Sequence, residues 1–207
     1  MKKLITIFTT SILFTLSVNF AFAEEPIFAP EEHCLAYKTE KVMFLFADVE
    51  VIGKSCELTT IMHWNTSGDL AKIEVSVPVN SLDSGNTMRD KDIPNILKAE
   101  LTPKISFISE WLKKSVWEEM LAGQRPKISG NLEVAGGVFP VKFNLSFAKQ
   151  DGYFLVEGHL KTTFSALKVT VPAVVGGLLA EPGNELELLL HLRTDKISGA
   201  EKIVVQE

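Results

Sequence analysis

From Ile128 to Phe147 apolar and polar residues alternate almost without a break, and few patterns restrict a chain more. Ile128, Gly130, Leu132 and Val134 fall on one side, with Lys127, Ser129, Asn131 and Glu133 on the other. Successive side chains of a strand point to opposite faces, so this is a strand with one dry face and one wet face. Gly136-Gly137 supplies a tight hairpin, after which Val141, Phe143, Leu145 and Phe147 alternate with Lys142, Asn144, Ser146 and Ala148. A turn at Gln150-Asp151-Gly152 leads to Phe154, Val156, Gly158, Leu160 and Thr162, and Leu186, Leu188, Leu190 and Leu192 form a late strand. Upstream, Val42, Phe44 and Phe46 alternate, as do Cys56, Leu58, Thr60, Met62 and Trp64. After a turn at Asn65 to Asp69, Ile73, Val75, Val77 and Val79 do the same. Roughly eight strands sharing one apolar face predict an all-β sandwich or barrel. No Lys-rich or Pro-broken edge strand stands out, which favours closure into a single antiparallel eight-stranded barrel.

The pattern breaks after Val79. Asp83-Ser84-Gly85-Asn86 is turn material, Asn86 can cap a helix, and a polar helical insertion is predicted over 86–100 before Ile105 and Phe107 alternate again. Trp111, Leu112, Val116, Met120 and Leu121 fall at helical spacing and end at Gly123, predicting a second insertion over 111–122. Packing against the barrel wall is the plainer role for its two tryptophans, and a ligand or membrane contact the other.

The first insertion also carries a resemblance. Ser81-Leu82-Asp83-Ser84-Gly85-Asn86, then Arg89-Asp90, then Pro103 with Phe107, resembles the signature of the YceI-like family of bacterial periplasmic proteins. Ile128 to Val141 is similar to a strand pair of the same family. The chain departs from the family where Asp92 stands in place of a His, and at Ala99-Glu100-Leu101-Thr102 and Thr163 to Leu167. The resemblance implies a lipocalin-like barrel holding a long amphiphile, a polyisoprenoid lipid or quinone, in an elongated cavity.

The chain begins with an export signal. Lys2 and Lys3 precede an apolar run from Leu4 to Phe20, and Ala21-Phe22-Ala23 is a small-x-small cleavage site, so residues 1–23 read as a signal peptide cut after Ala23. Residues 24–32 then read as an acidic linker with little to order it, 33–195 as the barrel domain, and 196–207 as a tail or extra strand. Cleavage takes the formal net charge from −5 to −7, because the segment holds two lysines and no acid. Such a balance argues against nucleic acid and against anionic headgroups. Cys34 and Cys56 in an exported chain favour a disulfide over two free thiols. His33 beside Cys34 has no partner pair at ligand spacing, so no metal site is expected.

Catalysis finds no footing. His33, His63, His159 and His191 are scattered, the last three outward by strand phase, and no hydrolase, zincin or phosphate-loop motif is present. The inward set suits a hydrocarbon chain, and a cavity and a barrel filled by its own side chains both stay open. In a hollow barrel the tail would lie along Val42, Phe44, Phe46, Ile73, Val75, Val77 and Ile105. On the other strands it would meet Phe107, Phe143, Leu145, Phe154, Val156, Leu188 and Leu190. Asn86, Arg89, Asp90 and the connection from Phe164 to Leu179 would form the mouth. For Arg89 and Asp90 a structural ion pair or cap is the competing role. The expected function is binding, transport or sequestration of an isoprenoid or other long-chain lipid in the periplasm, with no cofactor beyond a bound lipid or quinone. The alternative is a ligand-free barrel docking to an envelope partner, such as the membrane redox protein that the resemblance implies.

Overall fold

The computed structural model describes residues 26–43, 47–124, 126–171, 174–175, 178–179 and 181–204. Strand β1 (Cys34–Met43) turns back as β2 (Ala47–Ser55), and β3 (Thr59–Trp64) pairs with β4 (Leu70–Pro78). A 3-10 turn at Val79–Ser81 and helix α1 (Thr87–Ile96) lead to β5 (Lys104–Ser109). Two-residue β6 (Leu112–Lys113) and helix α2 (Lys114–Leu121) precede three long strands, β7 (Lys127–Val134), β8 (Gly137–Lys149) and β9 (Phe154–Thr163). The small pair β10 (Val174–Val175) and β11 (Leu178–Leu179) comes before β12 (Glu181–Arg193).

The main sheet has ten strands in the order β2-β1-β12-β9-β8-β7-β5-β4-β3, with β6 beside β4, and all its ladders are antiparallel. This is the curled all-β sheet that the alternation predicts, with ten strands instead of eight. One of the two extra strands is β6, in the stretch read as wholly helical, and the other lies in the first third of the chain. Val42 stands at the end of β1, and the hairpin returns as β2, so the region read as one strand is two. Elsewhere the alternation holds: along β7, Ile128, Gly130, Leu132 and Val134 are buried.

Closure differs from the expectation. No ladder joins end strands β2 and β3 among the described residues. Each edge is instead met in part by irregular backbone. Lys54 and Asp83 exchange backbone hydrogen bonds of 2.8 and 2.9 Å, and the Ser55 and Ser81 hydroxyls meet at 2.7 Å. On the other edge, Met62 N donates to Ser198 O at 2.7 Å and Ser198 N donates to Thr60 O at 3.1 Å. Residues 196–204 are therefore neither a frayed tail nor a further strand. They form short turns, carry the Trp64 indole hydrogen bond on Gly199 O (2.9 Å), and bury Ile197, Ala200 and Ile203 in the barrel floor. Gly199 has a φ of +85°, and a Cβ there would meet Met62 O. Only glycine makes this approach freely.

The segment read as a linker also packs down. Phe28 stacks on His191 with ring centroids 5.1 Å apart, and the Glu32 carboxylate accepts from Lys54 Nζ at 2.9 Å. His191 does point out of the barrel, yet it is only 4% exposed because this segment covers it. His33 Nδ1 accepts from Arg193 N at 3.0 Å, which leaves the ring proton on Nε2, facing Thr60 Oγ1 at 3.1 Å. The Thr60 hydroxyl in turn donates to Lys196 O. The disulfide Cys34–Cys56 joins the start of β1 to the link between β2 and β3, at a separation of 22 residues. The signal peptide of residues 1–23 lies outside the described residues.

Two outcomes follow. Replacing Cys34 and Cys56 by Ser removes about 3 kcal/mol of stability in the chain-entropy model. The thermal midpoint read by circular dichroism should drop by about 6–12 °C. Burial holds His33 at about 4 instead of 6.5. Between those values the unfolded chain takes up a proton that the folded one refuses, so stability is full above the higher value and declines as pH falls toward the lower. Urea midpoints measured from pH 7 to 5 should decline in the natural protein and decline less in a His33→Ala variant, whatever its starting stability.

Candidate functional site

The inward faces enclose a chamber of about 200 Å³ at the α1 end of the barrel. Leu35 and Tyr37 of β1, Val51 of β2, Val75 of β4, and Ile105 and Phe107 of β5 form one part of its wall. Leu132 and Val134 of β7, Phe143 of β8, and Leu186, Leu188 and Leu190 of β12 form another. Ile93, Ile96 and Leu97 come from the α1 region, and Phe164, Leu167, Val169 and Val171 from the connection after β9. Among the described lining residues, the polar side chains are Tyr37, Thr39, Glu40, Asn86 and Arg89. Asn86 and Glu40 are exposed, so the chamber reaches solvent at this polar end.

The lid over that end is built from local sequence. Asn86 Oδ1 accepts from Met88 N and Arg89 N at 3.1 and 3.0 Å, capping α1 as its position predicts. Gly85 holds a φ of +71° in the preceding turn. Ile93 turns inward onto Val79 and Leu82, pinning the helix to the wall. Arg89 and Asp90 are not paired with each other. Arg89 Nε donates to Ser84 Oγ at 2.7 Å and its Nη2 donates to Ser84 O at 2.8 Å, while Ser84 N and its hydroxyl donate to Asp90 Oδ1. Both charged side chains thus clamp Ser84, and Arg89 alone of the two also lines the chamber. Burial pushes the Tyr37 hydroxyl above its ordinary pKa, partly offset by Arg89. Its ring lies on Gly53, where any Cβ would collide with it.

The residues expected along a lipid tail divide into groups. Val75, Ile105, Phe107, Phe143, Leu188 and Leu190 line the chamber. Ile73, Leu145 and Val156 line a second cavity of about 50 Å³ toward α2, which Val75, Phe107 and Leu190 also border. Val77 is buried without lining either space, and Phe154 lines neither. Phe44 and Phe46, and the side chain of Val42, lie outside the described residues. Sequence reasoning missed Tyr37 and Leu35, whose alternation is weak, and Ile93, Ile96 and Leu97, whose helix is mostly polar. The buried Trp117 and Met120 place α2 against the wall at the far end, where it closes the second cavity. The predicted helix over 111–122 is shorter than expected, beginning after β6.

Comparison with known proteins gives one family. The model of the YceI-like domain matches residues 37–192. A crystal structure of BcnA from Burkholderia cenocepacia is 16% identical with a TM-score of 0.56, covering 77% of this chain and 95% of that one. A polyisoprenoid binding domain from Saccharophagus degradans, implicated in plant cell wall breakdown, is 11% identical with a TM-score of 0.50, covering 77% and 92%. At these identities the likeness is one of fold. No curated protein matches the chain.

The Ser84 clamp makes a direct prediction. Arg89→Leu removes two hydrogen bonds from a charged donor, worth about 1.5–3 kcal/mol each where desolvated. Amide exchange over residues 84–93 should speed up at least tenfold while β7 to β9 keep their protection; unchanged exchange in the lid would exclude the clamp.

Proposed function

Because the chain belongs to the YceI-like domain family, we propose that its barrel binds a long-chain amphiphilic lipid of polyisoprenoid or quinone type. The observation that carries this reading is the chamber itself: an apolar wall from seven strands, with its few polar side chains at the end that meets solvent. Cavities lined only by aliphatic and aromatic groups hold water poorly and accept hydrocarbon. Burying each CH₂-sized group contributes about 0.8 kcal/mol, so a few isoprene units offset an association cost of about 4–15 kcal/mol. Arg89, Asn86 and the Tyr37 hydroxyl would then meet the head group, and the connection from Phe164 to Val171 would cover the tail. The polyisoprenoid binding domain among the structural neighbours supports the ligand class.

The role is one of binding, without catalysis. His63 and His159 face Glu74 and Glu187 on the outer wall at 2.8 and 2.7 Å, away from the chamber. The disulfide supports work in an oxidising compartment, and together with the export signal read in residues 1–23 it makes the periplasm the proposed location, for carriage or sequestration of the lipid. Among the described residues no helix is long and apolar enough to cross a membrane. A membrane redox partner finds no support in the fold or its neighbours.

Organic extracts of freshly purified mature protein, analysed by mass spectrometry, should contain a long-chain lipid. Ile105→Glu, which sets a charge in the chamber wall, should reduce that lipid at least tenfold in protein with an unchanged far-ultraviolet spectrum. Extracts that repeatedly contain none would favour a barrel that works without a ligand.

A further inference from the structure

The chamber and the smaller cavity below it are two spaces on one axis, divided by three side chains. Val75, Phe107 and Leu190 border both. Phe107 is the largest of them, 5% exposed, and meets Phe143 edge-on with centroids 5.2 Å apart. Its position is prepared by the opposite strand. A Cβ on Gly130 would lie 2.6 and 2.7 Å from the Phe107 ring atoms Cε2 and Cζ, so the ring occupies the space that glycine leaves open. Leu190 is seated in the same way beside Gly158, where a Cβ would come within 3.0 Å of it. Both glycines fall at inward positions of the alternation, where a larger residue would drive the waist apart. Below, Trp117 and Met120 of α2, with Ile197, Ala200 and Ile203 of the chain's end, seal the lower cavity.

We propose that Phe107, supported by Val75 and Leu190, sets the length of hydrocarbon chain that the barrel accepts. The proposal rests on the lipid-binding reading and adds where the bound chain must stop. A chain entering at the polar end runs down the chamber and meets this ring. Further carbons meet the three side chains that stand between the chamber and the lower cavity. Extra length must then remain at the mouth, where it stays in water and adds no affinity.

The test is a homologous series of unbranched primary alcohols, titrated by calorimetry into delipidated mature protein. Affinity in the natural protein should rise about fourfold with each methylene, the equivalent of about 0.8 kcal/mol per buried CH₂, and stop rising at a limiting length. In Phe107→Ala the limit should move to longer chains by about two carbons or more, each added carbon again giving about fourfold. Among short alcohols, which end above the ring, the affinity gained per added methylene should be the same in both proteins. Phe107→Leu, which keeps the core filled, should move the limit the same way by less, and serves if the alanine variant does not fold. The same limit in the natural protein and in the folded variants would overturn the length-setting role while leaving lipid binding intact. Failure of every alcohol to bind the natural protein would overturn both.

Discussion

The structure depends on how an open sheet deals with its two edges. A strand edge presents unpaired N–H and C=O groups, and each buried one left unsatisfied costs free energy comparable to a lost hydrogen bond. Among the described residues β2 and β3 do not pair with each other, yet each edge is met in part by backbone from elsewhere in the chain. The turn after β4 pairs with Lys54, and Ser198 pairs with Thr60 and Met62. The disulfide anchors the link between the same two strands to β1. Closing the seam with turns instead of a ladder lets the wall curl without a strand crossing the interior, and so leaves the space inside it.

That space has a cost and a compensation. An empty apolar cavity forfeits the dispersion contacts that packed side chains would make. The wall tolerates this because every strand between β2 and β3 in the sheet is held on both sides by its ladders and because both ends are plugged. At the far end the plug is α2 and the chain's C-terminal turns, with Ile197, Ala200 and Ile203 buried. At the near end it is α1, whose polar outer face and single buried residue, Ile93, make it a lid held mainly by its cap and by the Ser84 cluster. Polar attachment at one end and hydrophobic sealing at the other gives the chamber a direction, and a ligand of matching polarity has one way in.

Much of this was legible in the residues, and the limits are specific. Phe143, Leu132 and Val134 could be assigned to the interior because strands β7 and β8 keep strict alternation over their whole length. The Asn86 cap was legible because capping acts within three residues. Tyr37 was not, because β1 mixes polar and apolar residues on both faces and its ring depends on Gly53 of the next strand. His191 was placed as outward, but its burial was not legible, since its cover, Phe28, lies more than a hundred residues away in sequence. The division of the interior into two spaces by Phe107 could not be read either, for its seat on Gly130 exists only across a ladder.

By itself the amino-acid sequence determined which faces of the strands are dry, where the chain turns and where α1 begins. Those are properties of a residue and its near neighbours: side-chain period, backbone freedom and short-range hydrogen bonding. The tertiary structure alone decided how the edges are closed, which covers are laid over the outer wall and the floor, and how much of the interior remains open. Each of these depends on groups brought together from distant parts of the chain, as Arg193 N meets His33 across 160 residues, and no local pattern encodes that meeting.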